Sequence, residues 1–390
     1  MLKNEGPLKV LIAAPMSRYS GYGSDGIDMA LALARKGVDV YLQPNNVQPP
    51  LPQEVANLFT KNLEAPFDLM IHHVDPGALR ASDEQRRACD LVLGWSMWEM
   101  SSLQNLAGKS SFKKRVGNFD ALVGYTDVCK GAFEGYAPKK LPVGVLQGGF
   151  DADRWNYMER DWFSPRFSFI MNGQLGDRKN PWAAIAAFQE LKDEYPEEFE
   201  PAELHLHNTV KTIPPIIEEA IPKLRVHYQT FTDFEMHEFY KSGHVLLAPS
   251  RGEGKNLPAM EMLATGGSVI YTNWGGHTNW GSDMYAYPID YNLVPIGSSK
   301  YPDCMWAEID KDQLKATMLH CFRNRDEVRL KGLNGSRFVP EAFSWDAVMD
   351  QFFRNLPELI PGKGHEVKMK YDDVLRENAR RYTSRGVKYA

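Results

Sequence analysis

The chain has 390 residues, of which 43% are hydrophobic and 24% charged, a composition typical of a globular protein large enough for two domains of about 150 to 200 residues. No apolar run reaches the roughly 20 residues of a membrane span, and the first residues do not resemble a signal peptide. The net charge of -5 gives no overall attraction to nucleic acid or anionic lipid. Four widely spaced cysteines predict free thiols, a reducing and hence cytoplasmic location, and no structural zinc: Cys89, Cys129, Cys304 and Cys321.

Strand and helix patterns alternate along the chain, which predicts parallel sheets covered by helices. The first strand (9–14) is followed by a loop that contains Gly21, Gly23 and Gly26, then by a helix and a second strand (38–42). This unit is of Rossmann type, but no acid is placed to hold a dinucleotide ribose, so no NAD site is predicted. Further strands are predicted at 69–72, 91–94, 121–125 and 142–146.

A polar, aromatic stretch (152–165) is predicted to link this series to a second one. The second series has predicted strands at 167–172, 204–207, 226–228, 245–248 and 269–271, with helices between them. The sequence therefore predicts an α/β protein with a first Rossmann-like domain (1–155), a second (156–342), and a C-terminal helical segment (343–390).

The most informative stretch is PSRGEGKNLPAMEMLATGG (249–267), which follows a short apolar strand. Glu253 lies in a glycine-flanked loop, and Glu261 is predicted in the first turn of a helix that Pro258 opens. A strand, a glycine loop and a helix N-terminus together favour phosphate binding. Carboxylates repel phosphate, so the two acids are better suited to accepting hydrogen bonds from the hydroxyls of a sugar or a ribose. The alternative is a surface loop and helix with two solvated acids.

The second informative stretch is NGQLGDRKNPWAAIAAF (172–188). Asn180 is predicted as the N-cap and Pro181 as the first residue of a helix, which places Arg178 and Lys179 between a strand end and a helix N-terminus. Two cations in this position can neutralise a diphosphate. The alternative is a pair of solvated charges at a helix end.

These two stretches resemble the Glu-x7-Glu signature and the basic Asn-Pro segment of retaining glycosyltransferases of the GT-B fold, family 4. The resemblance implies two facing Rossmann-like domains with an interdomain cleft, and it makes FSWDAVMDQFF (343–353) the start of helices that pack back on the first domain. It implies that Glu253 lies beside the donor sugar and that Glu261 holds the ribose. Arg178 and Lys179 then stabilise the departing diphosphate, so no metal or other cofactor is required.

Further donor contacts are expected next to Glu253. Gly254, Lys255, Asn256 and Leu257 are the candidates, although the family usually has an aromatic-Gly pair where this chain has Lys255 and Asn256. The backbone amides of 255–257 are expected to bind sugar hydroxyls, and Lys255 indicates an additional anionic group on the donor or the acceptor. The segment TNWGGH (272–277) is placed near the rim of the donor site without assigned chemistry.

In the first domain, Gly21, Tyr22 and Gly23 are predicted to form a flexible loop that approaches the donor phosphates, with a tight turn as the alternative. His72 and His73 end a predicted strand. The resemblance implies that one of them touches the reacting sugar or the acceptor; His73 is favoured, with a packed histidine as the alternative. Glu99, in LGWSMWEMSSL (93–103), is a weaker acceptor-side candidate, and a buried Trp beside an exposed acid explains that segment equally well.

The predicted function is therefore a retaining, metal-independent transfer of a sugar from a nucleotide-diphosphate sugar to a hydroxyl of a glycan, protein, lipid or modified nucleobase. A transferase acting on modified DNA bases is an alternative, supported only by the basic tail (362–390), in which eight Lys or Arg accompany four acids. A solvated terminal helix is the favoured explanation of the tail, and contact with an anionic acceptor or a membrane is the other. A non-catalytic nucleotide-sugar binding protein or an epimerase of the same fold is the other alternative. The sugar, the base and the oligomeric state are left open.

Overall fold

A computed structural model describes residues 2–103, 109–298 and 301–384, apart from the side chains of 109, 110 and 381–384. The described chain divides into two compact units. Unit 1 comprises 1–150, 298–303 and 343–390, and unit 2 comprises 151–297 and 304–342. Each unit is centred on a six-stranded sheet in which every neighbouring pair is parallel.

The first part of unit 1 alternates strands and helices. Its elements are β1 (Lys9–Ala13), β2 (Pro15–Ser17), α1 (Gly21–Arg35), β3 (Asp39–Leu42), β4 (Asn46–Gln48), α2 (Gln53–Leu58), β5 (Phe67–His73), α3 (Asp83–Ala88), β6 (Cys89–Ser96), α4 (Lys109–Arg115), β7 (Ala121–Gly124), α5 (Asp127–Glu134) and β8 (Val143–Val145). The sheet has the order β3-β1-β5-β6-β7-β8, and β2 pairs with β4 at its side. β5 and β6 are buried along their whole length, as parallel strands covered on both faces are.

Unit 2 repeats this architecture. Its elements are β9 (Phe167–Gly173), α6 (Pro181–Glu194), β10 (Ala202–Asn208), α7 (Pro215–Ala220), β11 (Leu224–His227), α8 (Asp233–Ser242), β12 (Val245–Ala248), α9 (Leu257–Ala264), β13 (Ser268–Thr272), α10 (His277–Trp280), β14 (Tyr287–Ile289), β15 (Tyr291–Pro295), β16 (Met305–Ile309), α11 (Lys311–Arg323) and α12 (Arg325–Phe343). The sheet order is β11-β10-β9-β12-β13-β14, and β15 and β16 form an antiparallel pair. The order reverses between β9 and β12, where open α/β sheets place their ligand crevices.

Two C-terminal helices, α13 (Trp345–Leu359) and α14 (Lys363–Ser384), belong to unit 1. The apolar face of α13 enters the core formed by β1, β5 and β6, and the Trp345 ring lies 5.8 Å from the ring of Trp95. Four basic residues of α14 are paired with acids of unit 1: Lys363 with Asp90, Lys368 with Asp372, Lys370 with Asp68, and Arg376 with Asp373. Residues 385–390 of the predicted basic tail lie outside the described residues.

The predicted loop at Gly21–Gly26 is wrong, because α1 already begins at Gly21. Ser20 caps the helix and accepts a hydrogen bond from the Gly23 amide at 3.1 Å. The glycines are explained by packing, since a Cβ on Gly23 would lie 2.5 Å from the Ser17 carbonyl oxygen. Helix α1 can therefore approach β2 only with glycine at this position.

The predicted linker (152–165) is a packed part of unit 2. The buried Trp155 stacks on His237 at 4.6 Å. The guanidinium of Arg160, which is 4% exposed, donates hydrogen bonds to the carbonyl oxygens of Tyr240 and Gly243 at the end of α8 and of Thr265 at the end of α9. A cation at the C-termini of two helices is stabilised by their dipoles, so Arg160 holds α8 and α9 together.

All four cysteines are buried and free, as the sequence predicts. Among the described residues, no helix has the length and apolarity that crossing a membrane requires.

Candidate functional site

The loop after β12 and the segment after β9 end in the same local structure. Asn256 (φ +63°) and Asn180 (φ +52°) both adopt the left-handed conformation immediately before a helix with proline in its first turn. Asparagine tolerates this conformation better than other residues with a side chain. Asn180 is the N-cap residue by position, but its side chain makes no capping hydrogen bond; its amide donates to Glu308 at 3.4 Å.

An ion cluster around the buried Glu253 joins the two segments. Lys179 Nζ lies 2.7 Å from Glu253 Oε1, and Arg178 Nη1 lies 3.0 Å from Glu253 Oε2. Burial by itself raises the pKa of Glu253, which is 5% exposed, but Lys179 and then Arg178 outweigh it and hold that pKa well below its usual range. Glu253 is therefore ionised at neutral pH. Because two cations face one carboxylate, the cluster keeps a net positive charge.

The segment 272–277, to which the sequence assigned no chemistry, and the following Trp280 support the backbone of this loop. The Gly276 amide donates to the Glu253 carbonyl at 2.8 Å, and a Cβ on Gly276 would lie 2.5 Å from the Gly254 carbonyl carbon. The Trp280 indole donates to the Lys255 carbonyl at 2.6 Å. The loop that carries Glu253 is thus held from behind by close backbone contact.

His277 holds Asn256 in place. Its Nδ1 donates to the Thr272 carbonyl at 2.7 Å, so its Nε2 accepts from the Asn256 amide at 2.8 Å. Burial lowers the pKa of His277 to about 4, which keeps the ring neutral and Nε2 able to accept. The left-handed Asn256, and with it the start of α9, is therefore fixed by a side chain 21 residues further along the chain.

Glu261 lies one residue further into α9 than predicted. The helix begins at Leu257, so Glu261 is in its second turn, and the prediction of a first-turn position is wrong. Its Oε2 accepts a hydrogen bond from Tyr240 at 2.6 Å, and the Tyr240 oxygen accepts one from the Asn172 amide at 2.8 Å. Burial raises the pKa of Glu261, while the Tyr240 hydrogen bond and the charges of Arg154 and Lys255 oppose that rise.

The sequence missed Tyr240, Asn172 and Arg154. Tyr240 lies on α8 without any motif around it and donates directly to Glu261. Asn172, at the start of the stretch 172–188, reaches Glu261 only through Tyr240. Arg154 pairs with Asp233 at 2.6 Å, and its guanidinium lies 4.8 Å from the Trp155 ring. Long-range packing alone brings these residues to Glu261.

The structure places the donor-side candidates at one edge of the unit 2 sheet. Arg178 and Lys179 follow β9, and Glu253 follows β12, so the ion cluster spans the two strands between which the strand order reverses. Gly254, Lys255, Asn256 and Leu257 connect the cluster to α9. Lys255 is 2% exposed. Among the described residues, no group of three or more His, Cys, Asp or Glu is arranged to hold a metal ion.

The unit 1 candidates are packed into their own unit. His73 is fully buried, with Nδ1 2.8 Å from the Trp95 carbonyl oxygen and Nε2 3.5 Å from Asp25 Oδ2. These are the contacts of a packed histidine, the alternative that the sequence left open, and a catalytic role for His73 stays a prediction. The Tyr22 hydroxyl donates to the Met97 carbonyl at 2.8 Å, so Tyr22 is anchored rather than part of a flexible loop.

The other two acceptor-side candidates differ in their surroundings. His72 is buried, its ring stacks on Phe119 at 6.0 Å, and burial lowers its pKa to about 4. Glu99 is partly exposed and lies three residues after the end of β6. Neither geometry decides whether an acceptor binds there, so both remain predictions.

Neither a known protein family nor a curated protein matches the sequence. Solved structures do match. A sucrose-phosphate synthase from Thermosynechococcus elongatus is 15% identical, with a TM-score of 0.62 over 90% of this chain and 99% of that one. A glycosyltransferase from Rickettsia africae is 13% identical, with a TM-score of 0.62 over 91% and 99%. Anabaena HepE in complex with UDP and glucose is 12% identical, with a TM-score of 0.57 over 90% and 100%.

At sequence identities this low, the structural matches establish the fold alone. The chain has two Rossmann-like units with parallel six-stranded sheets, and the proteins it matches over almost their whole length are built in the same way. The sequence resemblance to GT-B glycosyltransferases is therefore confirmed for the architecture. Activity and substrate follow from the site.

Proposed function

We propose that the protein is a retaining glycosyltransferase that moves a sugar from a nucleotide-diphosphate sugar to a hydroxyl acceptor. The observation that carries this proposal is the ion cluster of Arg178, Lys179 and Glu253 at the strand-order reversal of unit 2. A positively charged site at the ends of parallel strands, beside two helix N-termini, suits a diphosphate. A buried, ionised carboxylate at the same place suits the hydroxyls of a sugar.

When the donor binds, Arg178 and Lys179 are proposed to exchange their contacts with Glu253 for contacts with the diphosphate. The diphosphate oxygens take hydrogen bonds from Arg178 and Lys179, which in the structure contact Glu253. Glu253 then accepts hydrogen bonds from the sugar, and Glu261 accepts them from the ribose. The complex of the structurally similar HepE with UDP and glucose supports uridine diphosphate as the first nucleotide to test.

The reaction needs no nucleophile from the protein. The bond between the anomeric carbon and the diphosphate oxygen breaks, and a bond from the acceptor oxygen forms on the same face of the sugar. The acceptor proton passes to a phosphate oxygen. Arg178 and Lys179 stabilise the negative charge that develops on the leaving group, which is the contribution a metal ion makes in other phosphate-transfer sites. We therefore propose that turnover does not require a metal.

The test is donor hydrolysis, because transferases that lack an acceptor slowly pass the sugar to water. The full chain is incubated with uridine, guanosine and adenosine diphosphate sugars, and free nucleotide is measured with and without a chelator. One donor class is expected to be hydrolysed at a rate that the chelator leaves unchanged. The same nucleotide at about 100 times its Kd should stabilise the fold by about 2.7 kcal/mol in a thermal-shift panel.

Each alternative function predicts a different result in these assays or in a DNA-binding measurement. A non-catalytic binding protein is stabilised by a nucleotide but releases none from its sugar. An epimerase converts the sugar without releasing the nucleotide. A transferase acting on DNA binds duplex DNA with an affinity that falls steeply with salt. Hydrolysis that stops with chelator refutes the metal-independent mechanism, and hydrolysis of no donor refutes the transferase.

A further inference from the structure

Arg154 carries a guanidinium that is held against the first turns of α8. Its Nη2 lies 2.6 Å from Asp233 Oδ1, at the start of that helix. Its guanidinium carbon lies 4.8 Å from the centre of the Trp155 ring, and its backbone carbonyl oxygen lies 2.9 Å from His237 Nε2. Both the backbone and the side chain of Arg154 therefore have a defined position.

The aromatic ring under Arg154 is itself fixed by packing. Trp155 is buried, its ring stacks on that of His237 at 4.6 Å, and it meets the Tyr240 ring edge-on at 5.0 Å. An arginine that stacks on a fixed ring gives up little further freedom when a ligand binds to it. The guanidinium of Arg154 is thus preorganised for binding.

The same contacts bring Arg154 close to Glu261. The Trp155 ring touches Tyr240, whose hydroxyl donates to Glu261 at 2.6 Å. Burial raises the pKa of Glu261, and the Tyr240 hydrogen bond and then the charge of Arg154 oppose that rise, as expected for a cation nearby. Arg154 is therefore a neighbour of the acid that is proposed to hold the ribose.

Arg154 lies at the base end of the proposed nucleotide site. In a nucleoside diphosphate, the ribose lies between the diphosphate and the base. The proposed function assigns the diphosphate to Arg178 and Lys179 and the ribose to Glu261, so the base extends beyond Glu261 and away from those two cations. Arg154 contacts α8, whereas Arg178 and Lys179 contact Glu253 in the loop before α9.

The guanidinium of Arg154 has donors left for a ligand. Its side chain is 25% exposed, and that of its partner Asp233 is 80% exposed. Every nitrogen of a guanidinium carries hydrogen, and the Nε of Arg154 has no hydrogen-bond partner among the described residues. Because so exposed an ion pair contributes little to stability, the contact with Asp233 orients the guanidinium more than it stabilises the fold.

A guanidinium discriminates between bases because it has donors and no acceptor. Guanine presents O6 beside N7, which matches the parallel N–H groups of the guanidinium, and uracil presents the carbonyl oxygens O2 and O4. Adenine places an amino group, which is itself a donor, beside its ring acceptors. An arginine next to the base therefore favours uracil or guanine over adenine.

We propose that Arg154 determines the base specificity of the site by donating to a carbonyl oxygen of uracil or guanine, which selects against adenine nucleotides. The inference rests on the proposed function, in which Glu261 holds the ribose. Arg154 takes part in binding alone, and the reacting atoms of the sugar lie at the other end of the nucleotide.

The test is calorimetry of the full chain with uridine, guanosine and adenosine diphosphate. The wild type is expected to bind the uridine or the guanosine nucleotide at least about tenfold more tightly than the adenosine nucleotide. Arg154→Met should weaken binding of the preferred nucleotide by about tenfold and change that of adenosine diphosphate by less than about twofold. Arg166→Met, which removes an exposed arginine of the same unit, should leave all three affinities unchanged.

Arg154→Gln adds a result that a loss of fold or of charge would not give. A glutamine amide has an acceptor for the adenine amino group as well as a donor for a ring nitrogen, so this variant should bind adenosine diphosphate at least as tightly as the wild type does. Circular dichroism checks that each variant is folded, and either variant by itself measures the change in preference.

The outcomes separate this inference from the proposed function. An equal loss of affinity for all three nucleotides in Arg154→Met would assign Arg154 to the diphosphate or to the fold, and it would overturn the inference while the transferase stands. A wild type that prefers adenosine diphosphate would overturn it as well. Binding of none of the three nucleotides would refute the proposed function and the inference together.

Discussion

Lys179→Met is the substitution that bears most directly on the ion cluster. The Lys179 side chain is 12% exposed and that of Arg178 is 36% exposed, so the charge of Lys179 is the less screened of the two. Its ammonium lies 2.7 Å from Glu253 and is proposed to move to the diphosphate when the donor binds. Removing this charge while keeping an apolar stem tests the electrostatic contribution by itself.

The size of the effect follows from the charge that develops on the leaving group. Two unit charges about 4 Å apart interact by about 4 kcal/mol at an effective dielectric constant of about 20. Part of the diphosphate charge exists before the bond breaks, so the barrier should rise by about 2 to 4 kcal/mol, which slows turnover by about 30- to 1,000-fold. Replacing Arg178 and Lys179 together with alanine should slow it by at least about 100-fold.

The assay is steady-state hydrolysis of the donor sugar, with Lys241→Met as the matched control. Lys241 is an exposed lysine of α8 in the same unit, and its replacement should leave the rate unchanged. Circular dichroism and the Tm separate a loss of chemistry from a loss of fold. A folded Lys179→Met variant that hydrolyses the donor at a near-normal rate would refute the proposed role of the cluster.

Three other substitutions test the support of the site and its response to pH. Arg160→Met should lower the free energy of unfolding by about 1.5 to 3 kcal/mol in urea, because it removes the hydrogen bonds of a buried guanidinium to carbonyl oxygens at the ends of α8 and α9. Gly276→Ala should weaken nucleotide binding, measured by calorimetry, by at least about tenfold, because the new Cβ would lie 2.5 Å from the Gly254 backbone. Gly131→Ala is the control: its Cβ meets no atom within 4 Å, so this variant should bind the nucleotide normally. The pKa of His277 is about 4 in the folded protein and about 6.5 in the unfolded chain, so acidification protonates the unfolded chain first and lowers stability. The difference in unfolding free energy between pH 7 and pH 5 should therefore shrink by about 2 kcal/mol in His277→Gln, and an unchanged difference would contradict the buried neutral ring.

The regular architecture could be predicted from the sequence because parallel strands are buried on both faces and therefore appear as short apolar runs. The observed bounds of β12, Val245–Ala248, are those predicted, and each of the other predicted strands overlaps an observed one with ends that differ by at most about two residues. Short strands such as β2 and β4 were missed, since three-residue segments have too little periodicity to be recognised.

The donor-side residues could be predicted because their chemistry is local. Arg178 and Lys179 precede one helix, Glu253 precedes another, and the strand order of the sheet brings the two segments together. The residues that the sequence missed are brought to the site by contacts between distant parts of the chain. Tyr240 meets Glu261 across 21 positions. Such pairs leave no pattern in a single sequence.

Packing between distant segments explains one wrong prediction and also the surroundings of a candidate that stays a prediction. Glycines near residue 23 suggest a loop because glycine disfavours helices, but the close approach of α1 to Ser17 demands them inside a helix. His73 ends a strand at the edge where ligands bind, but its side chain is covered by Tyr125, 52 positions away, and by Asp25. Packing that involves distant segments produces both environments, and a catalytic role for His73 stays a prediction.

The most direct measurement of the central claim is an experimental structure of the protein with uridine diphosphate bound, or with whichever nucleotide stabilises it most. The account predicts that the diphosphate lies within hydrogen-bond distance of Arg178 and Lys179, and that a ribose hydroxyl donates to Glu261. A nucleotide bound elsewhere, with Arg178 and Lys179 still paired to Glu253, would contradict it.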